Sequence, residues 1–329
     1  MVSSFVTYPI KFSPILKQKI WGGNKLVKEL GKESSLANIG ESWELSGVEG
    51  DVSEVINGVY ASKKLSELLK VFKDDLVGSK VYSKYEDNFP LLFKFIDAAD
   101  NLSIQLHPKD DLAKKRHNCL GKTEMWYVIN ADKDAKLYAG FSKVLNKELY
   151  LTYFNKGELL DVVIEEEVKK DDSFFIEAGT IHAIGRGVLL AEIQQTSDIT
   201  YRVYDWDRAG VDGKKRDLHT DLAIDAYDFS KNGSCKLDFS KELNRANQVF
   251  SCDYFTTNRL ELEIDYTYKK EISNIDSFVV YMCLEGAVEF VLNGFKESVV
   301  KGETVLIPAA SSFLEINSKR KSKLLEVYI

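Results

Sequence analysis

Residues 102–108 read Leu-Ser-Ile-Gln-Leu-His-Pro, and apolar and polar side chains alternate along them. Such alternation predicts a β-strand with one polar face. Gln105 and His107 are two residues apart, so their side chains point to the same face of that strand and could bind one ion. This stretch predicts a β-barrel that carries a metal site.

Two further potential ligands stand at the edges of other predicted strands. Glu124 begins the strand that continues to Ile129, and its carboxylate supplies the anionic ligand that imidazole and amide groups lack. His182 follows the glycine turn at residues 178–180. Each residue alone would more often be a hydrogen-bonded core residue or a solvated carboxylate, and only the combined spacing favours a metal site.

The remaining histidines do not extend this set. The chain has only four histidines, and His117 and His219 lie in polar stretches where we expect surface residues. No histidine follows His219. A C-terminal module could therefore not rebuild an imidazole metal site, and we expect it to be structural.

Length and composition favour a β-rich chain with two modules. The chain has 329 residues, of which 44% are apolar and 12% aromatic, and this length exceeds the usual size of one domain. Abundant Tyr and Phe suit strands better than a helical bundle. We expect a metal-binding catalytic domain with helical insertions at residues 1–235 and a C-terminal β domain at residues 236–329.

Charge and cysteine content exclude several classes of protein. The 44 basic and 51 acidic side chains give a net charge of −7, which disfavours binding to nucleic acid or to an anionic membrane. The four cysteines form no disulfide framework or zinc-ribbon spacing. Residues 1–16 lack the pattern of an export signal, and no apolar run approaches the ~18 residues of a membrane span. We expect a cytoplasmic protein with reduced thiols.

Periodicity predicts several individual elements. Leucines and Phe72 at three- and four-residue spacing predict a helix within residues 62–76, and residues 142–168 favour one or two further helices. Residues 91–96 and the stretch through His107 are interpreted as paired strands. Residues 220–250 are interpreted as a polar connector. In the C-terminal region we predict strands at residues 279–284, 287–292, 304–307 and 324–329.

The strands around Gln105, His107 and Glu124, followed by Ala178–Ala183 with His182, resemble the two metal motifs of the cupin superfamily. Longer stretches are similar to the type I mannose-6-phosphate isomerases in their short bacterial form. These stretches are Phe95–Pro108, Gly121–Tyr127 and Ala191–Trp206. The resemblance implies a cupin-type β-barrel, or jelly roll, with helical insertions and a second, degenerate cupin-like barrel at the C-terminus.

The resemblance also implies roles for individual residues. One Zn²⁺ per chain would be held by Gln105, His107, Glu124 and His182, with Gln105 the least secure of the four. Arg202 stands at the family's catalytic position. Lys122 matches the lysine beside the metal glutamate and would bind substrate. Arg208 would assist the phosphate group or be a plain surface residue. Glu177 departs from the proline that commonly precedes this Ala-Gly-Thr turn.

The implied reaction interconverts mannose 6-phosphate and fructose 6-phosphate through an enediol or enediolate. Glu44, Glu192 and Lys122 are candidates for the proton-transferring group, and the sequence does not choose among them. The expected partner is the phosphosugar, and the protein would be a monomer or homodimer. One alternative is a cupin sugar-binding or regulatory module with a structural metal, and another is a metal-dependent cupin oxygenase.

Overall fold

The computed structural model describes residues 5–210 and 213–329. Residues 1–4 and 211–212 lie outside the described residues. Residues 1–4 belong to the segment, residues 1–16, in which we expect no export signal. Within the described part, no helix is both long enough and apolar enough to cross a membrane.

Strands make up most of the regular structure, so the prediction of a mainly β chain is confirmed. The first twelve strands are β1 (Ile10–Lys11), β2 (Ile15–Gly23), β3 (Ile39–Leu45), β4 (Leu91–Asp97), β5 (Ile104–Leu106), β6 (Glu124–Ala131), β7 (Lys136–Phe141), β8 (Val163–Glu167), β9 (Ser173–Ile176), β10 (His182–Ile184), β11 (Val188–Gln195) and β12 (Tyr201–Tyr204). They are followed by β13 (Lys236–Leu237), β14 (Ala246–Ser251), β15 (Thr256–Leu262), β16 (Thr267–Glu271), β17 (Val279–Glu285), β18 (Ala287–Leu292), β19 (Phe295–Val300), β20 (Thr304–Ile307), β21 (Phe313–Ser318) and β22 (Ser322–Tyr328).

The helices are short and lie between strands. They are α1 (Lys25–Leu30), α2 (Leu65–Val77), α3 (Ser79–Tyr85), α4 (Asp110–His117), α5 (Lys147–Lys156) and α6 (Thr220–Ile224), with 3₁₀ turns at Gly58–Tyr60 and Leu159–Val162. The predicted first helix is confirmed as α2, whose apolar face is buried. The second predicted insertion is confirmed only in its first half, because residues 163–167 form β8.

Two sheets enclose the region that holds the predicted site. A seven-stranded sheet has the order β13-β9-β6-β11-β4-β3-β2, and a five-stranded sheet has the order β12-β5-β10-β7-β8. Apolar side chains from both sheets, including Trp126 and Leu190 from one and Leu137 and Ile184 from the other, pack into one cluster. The outer face of the five-stranded sheet packs against α5 and the region of α6.

The pairing expected for residues 91–96 and 102–107 is wrong. β4 pairs with β3 and β11 in the seven-stranded sheet, whereas β5 pairs with β10 and β12 in the five-stranded sheet. Alternation identified both strands, but it carries no information about which neighbour supplies the hydrogen bonds, and consecutive strands here belong to opposite walls.

Alternation along the seven-stranded sheet decides what faces the site. In β6, Tyr127 packs with Phe93 on the face that meets the C-terminal region. Trp126 and Ile96 pack on the opposite face. Because side chains alternate in direction along a strand, Glu124 shares its face with Trp126. The polar residues at alternate positions therefore collect between the two sheets.

The C-terminal region adds two further sheets. A six-stranded sheet has the order β1-β20-β17-β22-β15-β14, and a four-stranded sheet has the order β16-β21-β18-β19. The six-stranded sheet packs on the seven-stranded sheet through one large apolar cluster, and on the four-stranded sheet through another. Residues 220–250, which were predicted to be a polar connector, contain α6, β13 and most of β14. This segment therefore has more regular secondary structure than predicted. The division at residues 235 and 236 stays a prediction.

Candidate metal centre

Three strand ends bring the candidate ligands together. His107 follows β5, Glu124 begins β6 and His182 begins β10. The turn before His182 needs a glycine, because Gly179 has a φ of +93° and a Cβ there would lie 2.9 Å from the carbonyl oxygen of Ala226. The Gly179 amide also donates to the carbonyl oxygen of His107 at 2.8 Å, which ties two of the ligand segments to each other.

The ligand atoms of His107, Glu124 and His182 all lie within 4.8 Å of one another. His107 Nε2 is 3.5 Å from Glu124 Oε2, and His182 Nε2 is 3.5 Å from Glu124 Oε1. Each of the three side chains is about 1% exposed. These distances leave space between the atoms, as a shared ion requires.

Buried atoms without partners show that the three residues fit a cation. His107 Nε2, His182 Nε2 and Glu124 Oε2 are buried and have no hydrogen-bond partner within the described residues. Buried polar atoms are normally hydrogen-bonded, so three such atoms facing one point need an explanation. The second ring nitrogens are paired, since His107 Nδ1 lies 2.8 Å from the Ile199 carbonyl and His182 Nδ1 lies 2.9 Å from the Thr180 carbonyl. These contacts orient both rings for coordination through Nε2.

The protonation states suit metal binding. Burial, and then the charge of Lys122, lower the pKa of His107 well below its usual value. Burial lowers the pKa of His182 to about 4 against an opposing effect of the Thr180 carbonyl. Both imidazoles are therefore neutral near pH 7, which is the form that coordinates a metal.

Glu124 is held where its negative charge is unfavourable. Burial and the nearby Glu192 raise its pKa to about 7, although Lys122 and Lys94 act in the opposite direction. Lys122 Nζ lies 3.2 Å from Glu124 Oε2. A dication between Glu124 and the imidazoles would relieve this cost, because it compensates the carboxylate more strongly than one lysine does.

Gln105 stands next to the cluster. Its Cα position pairs with His182 on one side and with Arg202 on the other, and its side chain lines the pocket between the sheets. Its amide oxygen accepts a hydrogen bond from Ser103 Oγ at 3.1 Å. The predicted fourth ligand is therefore beside the other three.

A pocket of about 340 Å³ opens from the metal cluster between the two sheets. Its charged lining contains six cationic side chains and five carboxylates. They are Lys17, Lys19, Lys94, Lys122, Arg202 and Arg216, with Glu41, Asp51, Glu124, Glu192 and Asp198. The flat apolar part of the pocket wall is formed by Trp21, Trp43 and Trp126. The lining therefore already carries one more positive than negative side chain, and a divalent ion would add two further positive charges.

Arg202 and Arg216 both line this pocket, as the catalytic role expected for Arg202 requires. Arg202 Nε is buried without a hydrogen-bond partner among the described residues, while its Nη1 donates to the Asp217 carbonyl at 2.9 Å. Arg216 Nε donates to Asp205 at 2.8 Å. Burial, and then the neighbouring Arg216, lower the pKa of Arg202. Two guanidinium groups thus lie near each other with room for an anion.

Arg208 lies outside the described lining of the pocket. Its guanidinium binds Asp205 at 2.8 Å and Asp100 at 3.1 Å. Asp205 also binds Arg216. Arg208 therefore contacts the pocket only through the carboxylate that it shares with Arg216. The sequence predicts only a solvated basic cluster at residues 214–216, so Arg216 was not expected in the lining of the pocket.

Of the two glutamates considered for proton transfer, one faces the pocket and the other lies on the opposite face of the sheet. Glu192 lines the pocket, where its Oε1 accepts from Lys94 Nζ and its Oε2 from Trp126 Nε1, each at 3.0 Å. Glu44 instead binds Lys32 Nζ at 2.7 Å and Ser42 Oγ, away from the pocket. Strand alternation in β3 gives the pocket position to Glu41.

Glu41 and Lys94 were not expected at the site. Both are buried and line the pocket, and Trp43 Nε1 donates to Glu41 at 2.7 Å. Burial alone would raise the pKa of Glu41, but Lys94 and Lys19 lower it to about 2. The spacing of Glu41 and Trp43 on one strand face was the available signal, because a polar and an aromatic residue at positions i and i+2 share one face.

The two remaining histidines differ from each other. His117 is exposed, as expected, and its Nε2 lies 2.7 Å from the Tyr201 hydroxyl. His219 is half-buried, and its Nδ1 accepts from the Arg202 backbone amide at 3.2 Å. The expectation of a surface residue therefore holds only in part for His219, because the start of α6 lies against β12.

Comparison with known proteins gives a consistent result. Residues 10–139 match the family model described as phosphomannose isomerase type I, catalytic domain. The mannose-6-phosphate isomerase ManA of Bacillus subtilis is 32% identical over 306 residues, which cover 92% of this chain and 93% of that protein. The mannose-6-phosphate isomerase of Streptococcus mutans is 40% identical over 223 residues, which cover 68% of this chain and 69% of that protein.

A solved structure agrees with the sequence relatives. The crystal structure of the mannose 6-phosphate isomerase from Bacillus subtilis superposes with a TM-score of 0.86 at 30% identity, covering 98% of this chain and 99% of that chain. The fold and the site together define a mainly β, cupin-type protein with a buried cluster of two histidines and one glutamate. The chain belongs to the type I phosphomannose isomerase family.

Proposed function

We propose that this chain is a metal-dependent isomerase that interconverts mannose 6-phosphate and fructose 6-phosphate. The reaction moves one proton between C1 and C2 of the open-chain sugar through an enediol or enediolate. The observation that carries the proposal is the buried cluster of His107, Glu124 and His182 beside a charged pocket, in a chain of this family.

We further propose one Zn²⁺ per chain, held by His107, Glu124 and His182, with Gln105 as a fourth ligand. The mixed set of imidazole and carboxylate groups supports this choice of metal. When bound, the ion would supply Lewis-acid stabilisation of negative charge on the sugar oxygens. Lys122, 3.2 Å from Glu124 Oε2, would place a second positive charge next to the same oxygens.

The phosphate group would bind at the guanidinium pair. Arg202 and Arg216 present planar donors that match a phosphate oxygen pair. Arg202 has the catalytic role because its buried Nε has no protein partner in the described chain and can donate to substrate. Arg208 would act on the phosphate only through Asp205, which it shares with Arg216.

Proton transfer would be carried by Glu192 or Lys122, both of which line the pocket. Burial alone would raise the pKa of Glu192, but Lys94 and Lys122 lower it, so this carboxylate is ionised and can accept a proton. Lys122 can donate one to a developing oxyanion. Glu44 is excluded from this role by its contacts on the other side of the sheet.

The cytoplasm would suit this activity. The four cysteines, Cys119, Cys235, Cys252 and Cys283, are all free thiols, as in a reducing compartment. We propose a cytoplasmic enzyme whose partner is the phosphosugar. A monomeric or homodimeric state stays a prediction.

The test is an isomerase assay on mannose 6-phosphate after removal of metal by a chelator and re-addition of zinc. We expect activity to vanish with the metal and to return with it. Arg202→Ala should keep the fold and the zinc content while kcat/KM falls roughly 10²–10³-fold, the scale of removing one preorganised donor to negative charge on the substrate. Arg245→Ala, at an exposed arginine in the C-terminal region, is the matched control and should retain full activity.

The alternatives predict different outcomes of the same experiment. A sugar-binding or regulatory module would bind the phosphosugar without turnover. A metal-dependent oxygenase would consume dissolved oxygen. Wild-type protein that holds zinc but leaves mannose 6-phosphate unchanged would contradict the isomerase proposal.

A further inference from the structure

Three hydrogen bonds converge on the carboxylate of Asp110, which lies outside the pocket lining at the start of α4. Its Oδ1 accepts from the Gly121 amide at 2.7 Å and from Gln195 Nε2 at 2.9 Å. Its Oδ2 accepts from the Tyr254 hydroxyl at 2.7 Å. The three donors belong to three separate parts of the chain, so Asp110 joins them.

The first donor belongs to the segment that leads into the metal cluster. Gly121 starts the short run that contains Lys122 and ends at Glu124. A Cβ at Gly121 would lie 2.7 Å from the Asp110 amide nitrogen and 2.9 Å from its Oδ1. Only glycine allows this close approach, so the position of the run depends directly on Asp110.

The second donor extends the contact to the segment that carries His182. The Thr123 backbone N–H donates to Gln195 Oε1 at 2.9 Å, and the Gln195 backbone N–H donates to the Thr123 carbonyl oxygen at 3.1 Å. Thr123 Oγ1 accepts from the Ala178 amide at 3.2 Å. Ala178 opens the turn that presents His182. A continuous set of bonds therefore runs from Asp110 to two of the three ligand segments.

The third donor belongs to the C-terminal region. Tyr254 lies between β14 and β15 of the six-stranded sheet. Burial and the hydrogen bond to Asp110 raise the pKa of its phenol, so it stays a donor at physiological pH. This bond connects the C-terminal region to Asp110.

We infer that Asp110 is a positioning residue for the metal centre and that Tyr254 extends this support into the C-terminal region. Hydrogen bonds to an ionised carboxylate are about twice as strong as neutral ones, and residues that orient metal ligands change affinity by about 10–100-fold when replaced. Ligands held in place before the ion arrives lose less freedom on binding. The inference rests on the proposed metal centre and names residues that touch neither ion nor substrate.

The test measures zinc affinity, by competition with a chelator, separately from kcat and KM at saturating zinc. Asp110→Ala should weaken zinc binding by about 10–100-fold. Asp110→Asn keeps an acceptor for Gly121 and Gln195, so its affinity should stay within about threefold of wild type, which is a rescue by the conservative change. Asp111→Ala, at the exposed neighbouring position on α4, is the control and should bind zinc as wild type does.

Tyr254→Phe removes a single hydroxyl and keeps the ring, so it tests the C-terminal link even if Asp110→Ala does not fold. We expect zinc affinity to fall about threefold to tenfold, the scale of one lost hydrogen bond, with unchanged KM. Tyr266→Phe, at a more exposed C-terminal tyrosine, should have no effect. Wild-type zinc affinity in folded Asp110→Ala, or in Tyr254→Phe, would overturn the inference for that residue.

Failure of the inference and failure of the proposed function can be told apart. Wild-type protein that binds zinc without isomerising mannose 6-phosphate would overturn the function and leave the affinity comparison intact. Wild-type protein that isomerises normally, with Asp110→Ala equal to it in zinc affinity, would overturn only the positioning role.

Discussion

Two buried glutamates, one in each pair of sheets, have opposite environments. Glu326 on β22 is fully buried, and its carboxylate accepts from the Tyr281 hydroxyl, Asn258 Nδ2 and Lys270 Nζ. Glu124 is buried to the same degree, but two imidazole nitrogens stand 3.5 Å away and its Oε2 lacks a hydrogen-bond partner in the described chain. Each of the two side chains extends from a strand into the space between two sheets.

A structural carboxylate differs from a metal ligand in the atoms that surround it. Burying a carboxylate is costly unless donors compensate it, and Glu326 has those donors within the protein. Glu124 has only the Lys122 ammonium, 3.2 Å from its Oε2, as a charged donor, and the two imidazole nitrogens beside it are acceptors when their rings are neutral. Two equally buried glutamates can therefore have different roles. The neighbouring atoms, donors in one case and mainly acceptors in the other, decide which glutamate belongs to a metal site.

The largest expected effect comes from removing a ligand. His182→Ala should lose zinc, and turnover should fall roughly 10³-fold or more, because the main stabiliser of developing negative charge is lost. Elemental analysis and the isomerase assay measure the two effects. Undiminished zinc in this variant would show that the ligand set is wrong, whereas Glu326→Gln should retain the metal.

The next effect concerns stability at Glu326. Glu326→Gln leaves the Lys270 ammonium and two other donors without their anionic acceptor, so the free energy of unfolding should fall by about 3 kcal/mol. Urea denaturation measures this change. Glu315→Gln breaks only the surface pair with Lys269 and should cost less than about 1 kcal/mol. Equal losses in both variants would show that Glu326 contributes no more to stability than a surface carboxylate does.

The same substitution at Glu124 should have the opposite sign in metal-free protein. The folded pKa of Glu124 is raised to about 7 from a usual 4.5, so the apo protein loses stability as pH rises from about 4.5 through 7. At pH 8, the free energy of unfolding of metal-free Glu124→Gln should exceed that of the metal-free wild type by about 3 kcal/mol. Below pH 4.5 the difference should vanish.

Chelator-treated protein, denatured with urea at pH 4 and pH 8, gives the measurement. Zinc should reverse the order of stability at pH 8, because it stabilises only the protein that keeps the carboxylate. A Glu124→Gln variant less stable than wild type at pH 8 without metal would mean that Lys122 alone satisfies the carboxylate.

The smallest effect is expected at an exposed carboxylate near the metal centre. Glu177, where the family commonly has proline, pairs with Lys231 at the surface. Glu177→Ala should change stability by less than about 1 kcal/mol and leave zinc content unaltered, since solvent screens the pair. A loss of zinc would show that this pair, and not the buried network, holds the turn before His182.

Much of the site could be predicted because it is local. Gln105 and His107 share a strand face, Glu124 begins a strand and His182 follows a glycine turn, and each of these statements needs only neighbouring residues. The pairing of β4 with β5 was wrong because strand partners are decided by contacts between distant residues. Arg216 and Asp110 escaped prediction for a related reason, since their importance comes from what they touch.

Local patterns in the amino-acid sequence were enough to predict that the chain is mainly β, that His107 and His182 lie at strand ends, and that the chain is similar to one isomerase family. Tertiary structure decided that Glu41 and not Glu44 faces the pocket, that Arg216 stands beside Arg202, and that a carboxylate on α4 is bonded to three distant segments. The two sets of features differ in how far apart along the chain the interacting residues lie. Alternation along a strand is set by backbone geometry within a few residues, whereas the compensation of a buried charge depends on atoms that only the packed fold brings close.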